Sequence, residues 1–271
     1  MIFLDSIFVF LIGLEFGSFA NVCVYRWPRS LSILSPTRSF CPWCKIKISW
    51  YDNIPVVSYF NLKRRCRHCL SLISFRYPFV ELVMGLLWLG TYFAIRPTTQ
   101  NLSWMFLLIV WCFIFILIVT TFTDFDWRII PNEASYFLVI VGLIASPLNP
   151  LLSADGSMPR VGESILGLVT GGGLLFSLAF LGKLIFKKEA MGGGDIKLAA
   201  GIGTILGWKA ILLTLMLASV FGGMVSIGGL LIGSLKRNQY IPFGPFINLG
   251  AFISIIVKWF FPKSLDLFLK I

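Results

Sequence analysis

The chain has 271 residues, of which 57% are hydrophobic and only 13% charged, against about 25% charged in an average soluble domain. That balance excludes a disordered, fibrous or ordinary soluble chain and points to the membrane. The net charge of +11, from 23 Lys and Arg against 12 Asp and Glu, is read as a signal of orientation rather than of nucleic-acid binding.

A helix needs about 20 mostly apolar residues to cross the hydrocarbon core. Eight stretches approach or meet that length, at residues 2–24, 78–95, 104–123, 133–152, 164–186, 196–206, 209–235 and 242–261. The expected fold class is an all-α polytopic membrane protein with about eight transmembrane helices. The first stretch holds Asp5 and Glu15, with no basic run before it and no small-residue cleavage site, so it reads as a retained helix and not as a removable signal peptide. The sixth is short and Gly-rich, and its boundary with the seventh rests on Gly207. Gly171 to Gly173 reads as a close helix-packing surface.

Between the first two stretches, residues 25–77 carry ten Lys and Arg against a single acid, Asp52. Short loops rich in Lys and Arg stay in the cytoplasm, so this loop is expected inside and the N-terminus outside. Counting across eight spans places the turns at 124–128, 187–195 and 236–237 inside as well, and each carries basic residues. The outside turns, 96–103 and 153–161, carry one Arg each. Contact with anionic lipid headgroups is the natural use of the ten loop cations. The chain divides into a first helix at 1–24, the Cys-rich loop at 25–77 and a seven-helix core at 78–271.

Four of the six cysteines form two pairs, Cys41-Pro42-Trp43-Cys44 and Cys66-Arg67-His68-Cys69, with 21 residues between them. Two such turns joined by a loop of this length have the form of a tetrahedral four-thiolate zinc site. A redox pair would need a βαβ setting that the surrounding sequence lacks, and a structural disulfide would sit in a reducing compartment. A loop of this size has too little apolar mass for a core, so a metal staple is physically expected. His68, the single histidine, reads as a solvated neighbour of four sulfurs, and Cys23 and Cys112 as small buried hydrophobes.

Ionisable groups in or at the rim of spans are costly and are functional candidates by default. Asp124 ends the third span, seven residues before Pro131, and Asp195 follows Gly192-Gly193-Gly194 at the start of the sixth. The eight-span count brings both to the cytoplasmic face, although 71 positions separate them. Two carboxylates sharing one proton can activate water for attack on a peptide carbonyl, one as base while the other donates a proton. The glycines would let backbone approach a substrate strand and reach φ values closed to other residues. Asp195 could instead simply cap its helix. Asp126 is expected to face elsewhere, two positions along the helix, and Lys197 to balance charge rather than act as a base.

These residues resemble the bacterial prepilin peptidases, also called type IV leader peptidases, of the GxGD class of intramembrane aspartic proteases. The resemblance runs through Gly17-Ser18-Phe19-Ala20-Asn21-Val22 with Tyr25-Arg26, the two Cys pairs, and Arg76-Tyr77-Pro78 with Glu81. It continues through the Asp124 to Pro131 spacing, Gly192-Gly193-Gly194-Asp195 with Lys197, and Pro242-Phe243-Gly244-Pro245-Phe246. It departs at Asn132, where many members have Asp, and at Ala20, where many have Leu.

The resemblance implies that Asp124 and Asp195 are the catalytic pair, and that the substrates are prepilins or pseudopilins whose short basic leader is removed at the cytoplasmic face of the bacterial inner membrane. It also implies N-methylation of the new N-terminus, with S-adenosylmethionine as donor, in members that carry the Cys loop. No Gly-rich nucleotide fingerprint follows a strand in this chain, so a donor site would be unlike a Rossmann site. Glu15, Arg26, Asp52 and Glu81 are polar candidates for it, with structural pairing the competing role of each. The different-class alternative is a non-enzymatic zinc-folded channel, carrier or signalling protein whose acids bind ions.

Overall fold

Inside lipid every backbone N–H and C=O must find a partner within the chain, which favours a helix for each apolar stretch. The computed structural model describes residues 2–95, 104–152, 159–187, 191–234 and 241–261, and among these it is all-helical apart from loops. Its helices are α1 (Ile2–Arg26), α2 (Val57–Asn61), α3 (Arg76–Ile95), α4 (Trp104–Trp127), α5 (Asn132–Ala145), α6 (Arg160–Phe186), α7 (Gly193–Leu231) and α8 (Gly244–Phe260). Five of them, α1, α3, α4, α6 and α7, are long and apolar enough to cross a membrane, while α5 and α8 are shorter apolar helices.

All eight expected stretches are helical, the sixth and seventh forming the two halves of α7, which leaves helical geometry at Gly207 (φ 79°, ψ 172°). The fourth stretch stops short of residue 152, because Pro147 turns the chain into a 3-10 segment at Ser146–Leu148. The short α2 inside the Cys-rich loop has no apolar period to announce it. Turn residues 96–103, 153–158, 188–190 and 236–237, used above for orientation, lie outside the described residues.

The chain forms two compact units, residues 1–119 and 120–271. In the first, α1 and α3 approach through small residues. A Cβ on Gly13 would stand 2.8 Å from the Gly85 Cα, and one on Gly17 2.5 Å from the Glu81 Cα, so substitution at either would push the helices apart. Trp88 of α3 stacks on Trp111 with centroids 4.6 Å apart, and Trp111 Nε1 donates to Thr91 Oγ1 at 3.0 Å.

In the second unit, α7 is the hub. Gly167 of α6 meets the Gly203 backbone, Gly171 meets the Ala199 carbonyl, and Gly142 of α5 meets Thr204. Of the expected Gly171 to Gly173 surface, Gly171 and Gly172 pack on α7 while Gly173 looks onto open space, since three consecutive helical residues cannot share one face.

The break at Gly207 frees carbonyls that a continuous helix would have satisfied. Each finds a side chain from a different segment. Ser164 Oγ donates to Thr204 O at 2.8 Å, Asn149 Nδ2 to Ile205 O at 2.8 Å, and Lys258 Nζ to Leu206 O at 2.7 Å. Glu163 Oε1 lies 3.7 Å from Lys258 Nζ, so the buried ammonium is neutralised where it caps the break.

Candidate active site and metal centre

Asp124 occupies the last turn of α4 and Asp195 the first turn of α7. Both are buried, with 3% and 4% of their surface exposed, and the Asp124 carboxylate acts electrostatically on that of Asp195. The Gly244 backbone N–H at the start of α8 donates to Asp124 Oδ2 at 3.0 Å. The space is too tight for any side chain at 244, because a Cβ there would stand 2.7 Å from that same oxygen.

Asp195 tests the capping explanation directly. Gly192 is the N-cap residue and offers no side chain, and Asp195 Oδ2 turns back toward the Gly192 backbone, as an acid at the third helical position can. That accounts for one oxygen. The other, Oδ1, is buried without a hydrogen-bond partner, a costly state for a carboxylate whose only role is to cap a helix.

The glycine triplet works by closeness and not by unusual φ. Gly192 has φ −72°, and none of the three is among the residues with positive φ. Gly194 is the one the packing requires, since a Cβ there would stand 2.9 Å from Ile130 Cβ. Ile130 Cδ1 also packs against Gly244, so one buried side chain spaces the two backbone segments that carry the acids' neighbours. Ile130 did not stand out in the sequence, and Gly244 appeared there only within the Pro242 to Phe246 motif, with no role attached. Their partners lie on distant segments of the chain, which a local pattern does not reach.

Asp126 is exposed, as its helical offset predicts. Lys197 Nζ donates to Asn132 Oδ1 at 2.8 Å and lies 5.4 Å from the Tyr136 ring centroid, so it ties the start of α7 to α5. Cys23 is fully buried and Cys112 partly so.

The four paired cysteines converge, with Cys41, Cys44, Cys66 and Cys69 placing all their sulfurs within 4.8 Å of one another. Cys41 and Cys69 Sγ stand 3.7 Å apart, close to the roughly 3.8 Å that a tetrahedron of about 2.3 Å zinc–sulfur bonds requires. Two turns of the same construction, offset by 25 residues, produce this. Cys41 N–H donates to Ile46 O and Lys45 N–H to Cys41 O. In the second turn, Cys66 N–H donates to Ser71 O and Leu70 N–H to Cys66 O.

Each turn is closed by one antiparallel bridge, Phe40 with Lys47 and Arg65 with Leu72. In each the residue after the second cysteine is left-handed, Lys45 at φ 60° and Leu70 at φ 58°, a strain that metal coordination can offset. Hydrogen bonding by the Ser71 hydroxyl and backbone draws the Cys69 thiol down, while the crowding sulfurs of Cys41 and Cys69 help to push that of Cys44 up. His68 is exposed and outside the sulfur cluster.

Three of the four polar candidates for a donor site, Arg26, Asp52 and Glu81, line one cavity of about 500 Å³ between α1, the Cys-rich loop and the start of α3, while Glu15 does not. All three have partners within the protein. Arg26 is buried and donates to the carbonyls of Ser32, Ile33, Pro36 and Arg38, fixing the chain after α1. Asp52 receives a two-pronged bond from Arg67 at 2.6 and 2.7 Å, which holds its carboxyl below the usual range. Glu81 is buried and accepts from the Val56 N–H at 2.7 Å.

Comparison with known proteins agrees with this layout. The Bacterial Peptidase A24 N-terminal domain matches residues 11–95 and the Type IV leader peptidase family residues 111–227. A prepilin leader peptidase/N-methyltransferase of Aeromonas hydrophila is 33% identical over 285 residues, covering 95% of this chain and 94% of the relative. Proteins of the same description from Legionella pneumophila and Vibrio cholerae are 32% and 31% identical, covering 92% of this chain and 92% and 94% of the relatives. No solved structure gives a significant match. With the relatives at 31% to 33% identity and covered almost end to end, the chain belongs to the type IV leader peptidase family.

Proposed function

We propose that this family member cleaves the leader of prepilin-type precursors with Asp124 and Asp195 as its catalytic pair. The carrying observation is Asp195 Oδ1, buried without a hydrogen-bond partner and within electrostatic reach of the buried Asp124. A water between the carboxylates loses its proton to one while the other donates to the scissile carbonyl oxygen. The oxygen–carbon bond forms, and collapse of the tetrahedral adduct then breaks the carbon–nitrogen bond as the amine takes a proton. The Gly244 N–H keeps Asp124 in one orientation throughout. Family membership favours this enzyme over the non-enzymatic carrier or channel.

The positive-inside rule supports an N-terminus outside, with the Cys loop and both acids at the cytoplasmic face of the bacterial inner membrane. Cys41, Cys44, Cys66 and Cys69 would hold one structural zinc, and their spacing fits it. The chain also methylates the new N-terminus, with S-adenosylmethionine supplying an activated methyl group on sulfur; its relatives' description as N-methyltransferases supports this. Residues 78–271 form the peptidase core in this reading, and the partners are prepilins or pseudopilins and the lipid bilayer, with no nucleic acid. The test is cleavage of a pilin-type precursor by detergent-solubilised protein. Conversion by the native chain is expected, with loss in Asp124→Asn and in Asp195→Asn, and retained conversion in either variant overturns the pair.

A further inference from the structure

We infer that Asn248 is a positioning residue for the cleavage reaction, fixing where along α4 the first N–H of α8 meets Asp124. This rests on the reading of Asp124 as one of the catalytic pair. Asn248 is 4% exposed, and a buried amide within an apolar bundle is costly unless acceptors receive its hydrogens. Its Nδ2 donates to two hydroxyls, Thr120 Oγ1 at 2.9 Å and Thr121 Oγ1 at 2.8 Å.

Residues three and four apart share a helix face, so Thr120 and Thr121 lie one turn below Asp124 on α4. Asn248 lies one turn beyond Gly244 on α8. Asp124 pairs with Gly244 and Thr120 with Asn248, so the two helices run in opposite directions and meet at two levels about 6 Å apart. An amide that served stability alone could sit anywhere along α8. This one lies a single turn from the group that touches Asp124.

The upper level does not adjust itself. A backbone N–H has no rotamer, and that of Gly244 reaches Asp124 Oδ2 at 3.0 Å only where the axis of α8 carries it. Pro245 has no N–H to offer in its place, and those of Phe246 and Ile247 turn back to Phe243 O. A slide of one residue's rise, about 1.5 Å, would therefore leave the carboxylate without a backbone donor from α8. Farther along, Gly250 packs on the Thr214 carbonyl and Ser254 shares a hydrogen bond with Thr214 Oγ1 at 3.0 Å, which ties α8 to α7. Asn248 carries that register across to α4, its planar amide gripping two adjacent hydroxyls and so setting both the height and the rotation of α8.

The test follows cleavage of a pilin-type precursor, and the Gly244 amide proton by nuclear magnetic resonance, in the full-length chain in detergent. Carbonyl-labelled phenylalanine with nitrogen-labelled glycine selects the Phe-Gly pairs at 16–17, 221–222 and 243–244, and the signal that moves in Asp124→Asn is that of Gly244. Asn248→Leu is expected to lower kcat about tenfold, to leave KM within about twofold of native, and to move the Gly244 signal toward its place in Asp124→Asn. Thr120→Val with Thr121→Val keeps the side-chain volumes, removes both acceptors and should do the same, which keeps the test open if Asn248→Leu does not fold. Thr120→Ser with Thr121→Ser retains the hydroxyls and should hold kcat within about twofold of native. A native kcat in Asn248→Leu, a Gly244 signal that stays in place, or a serine pair as slow as the valine pair overturns the positioning role while the catalytic pair stands. Cleavage retained in Asp124→Asn overturns the reading beneath it.

Discussion

The four-Cys loop and the two-Asp site are built on opposite principles. The loop is assembled from contacts of short range. Each Cys turn closes on itself within eight residues, and the second repeats the hydrogen bonds of the first 25 residues later. The acids come from helix ends 71 positions apart, and Asp124 is held by a backbone N–H 120 residues away. A site of the first kind depends on its metal, and one of the second on the packing of helices that carry no chemistry themselves.

The largest expected effect separates the two regions by metal. In small zinc-folded peptides the metal contributes about 10–16 kcal/mol, so Cys41→Ala should take zinc from about one per chain to near none by elemental analysis. Trypsin should then open the Lys- and Arg-rich segment around the Cys pairs while α6 to α8 stay intact. Zinc retained in full by this variant would break the comparison at its root.

Next come the acids, whose loss should remove chemistry and leave structure. Asp124→Asn and Asp195→Asn should each lower precursor cleavage by on the order of 10²–10⁴-fold, the weight of positioned acid–base catalysis. Zinc content and thermal midpoint should match the native chain. A variant that also unfolds would place that carboxylate in the framework instead.

The framework has its own ionic element at the break in α7. Lys258→Met removes the cap on Leu206 O and the ammonium that lies 3.7 Å from the buried Glu163. Breaking a buried pair in this way costs about 3–5 kcal/mol, to be read as a fall in the thermal midpoint in detergent. Adding Glu163→Gln should recover part of it, since the uncompensated charge is then gone. No recovery would mean that the carbonyl cap, and not the ion pair, carries the cost.

These differences in construction explain what was legible in the sequence. The apolar stretches, the break at Gly207 and the Cys spacing are periodic or local signals, and the helices and the sulfur cluster follow them closely. The scarcity of charge in the spans made Asp124 and Asp195 visible as candidates. What stayed hidden is every partner that arrives from another helix, such as Gly244 for Asp124, Ile130 for Gly194, and Ser164, Asn149 and Lys258 for the freed carbonyls. The left-handed Lys45 and Leu70 were hidden for another reason, because neither residue type announces a positive φ.

The smallest effect sharpens the boundary of the Asp site. Lys197 lies only two residues from Asp195, close enough in sequence to invite a role as a base. A step of two along a helix turns a side chain by about 200°, and the ammonium duly points to Asn132 and Tyr136 on α5. Lys197→Gln should therefore change stability by no more than about 0.5 kcal/mol, and the cleavage rate by a correspondingly small factor. A loss on the scale of the Asp variants would move Lys197 into the chemistry. The complementary change, Asn132→Asp, turns a neutral acceptor into a charged one, and charge-assisted hydrogen bonds are the stronger kind. It should raise the thermal midpoint slightly in the native chain and leave it unmoved in Lys197→Gln, so the pair reports whether this link belongs to the framework alone.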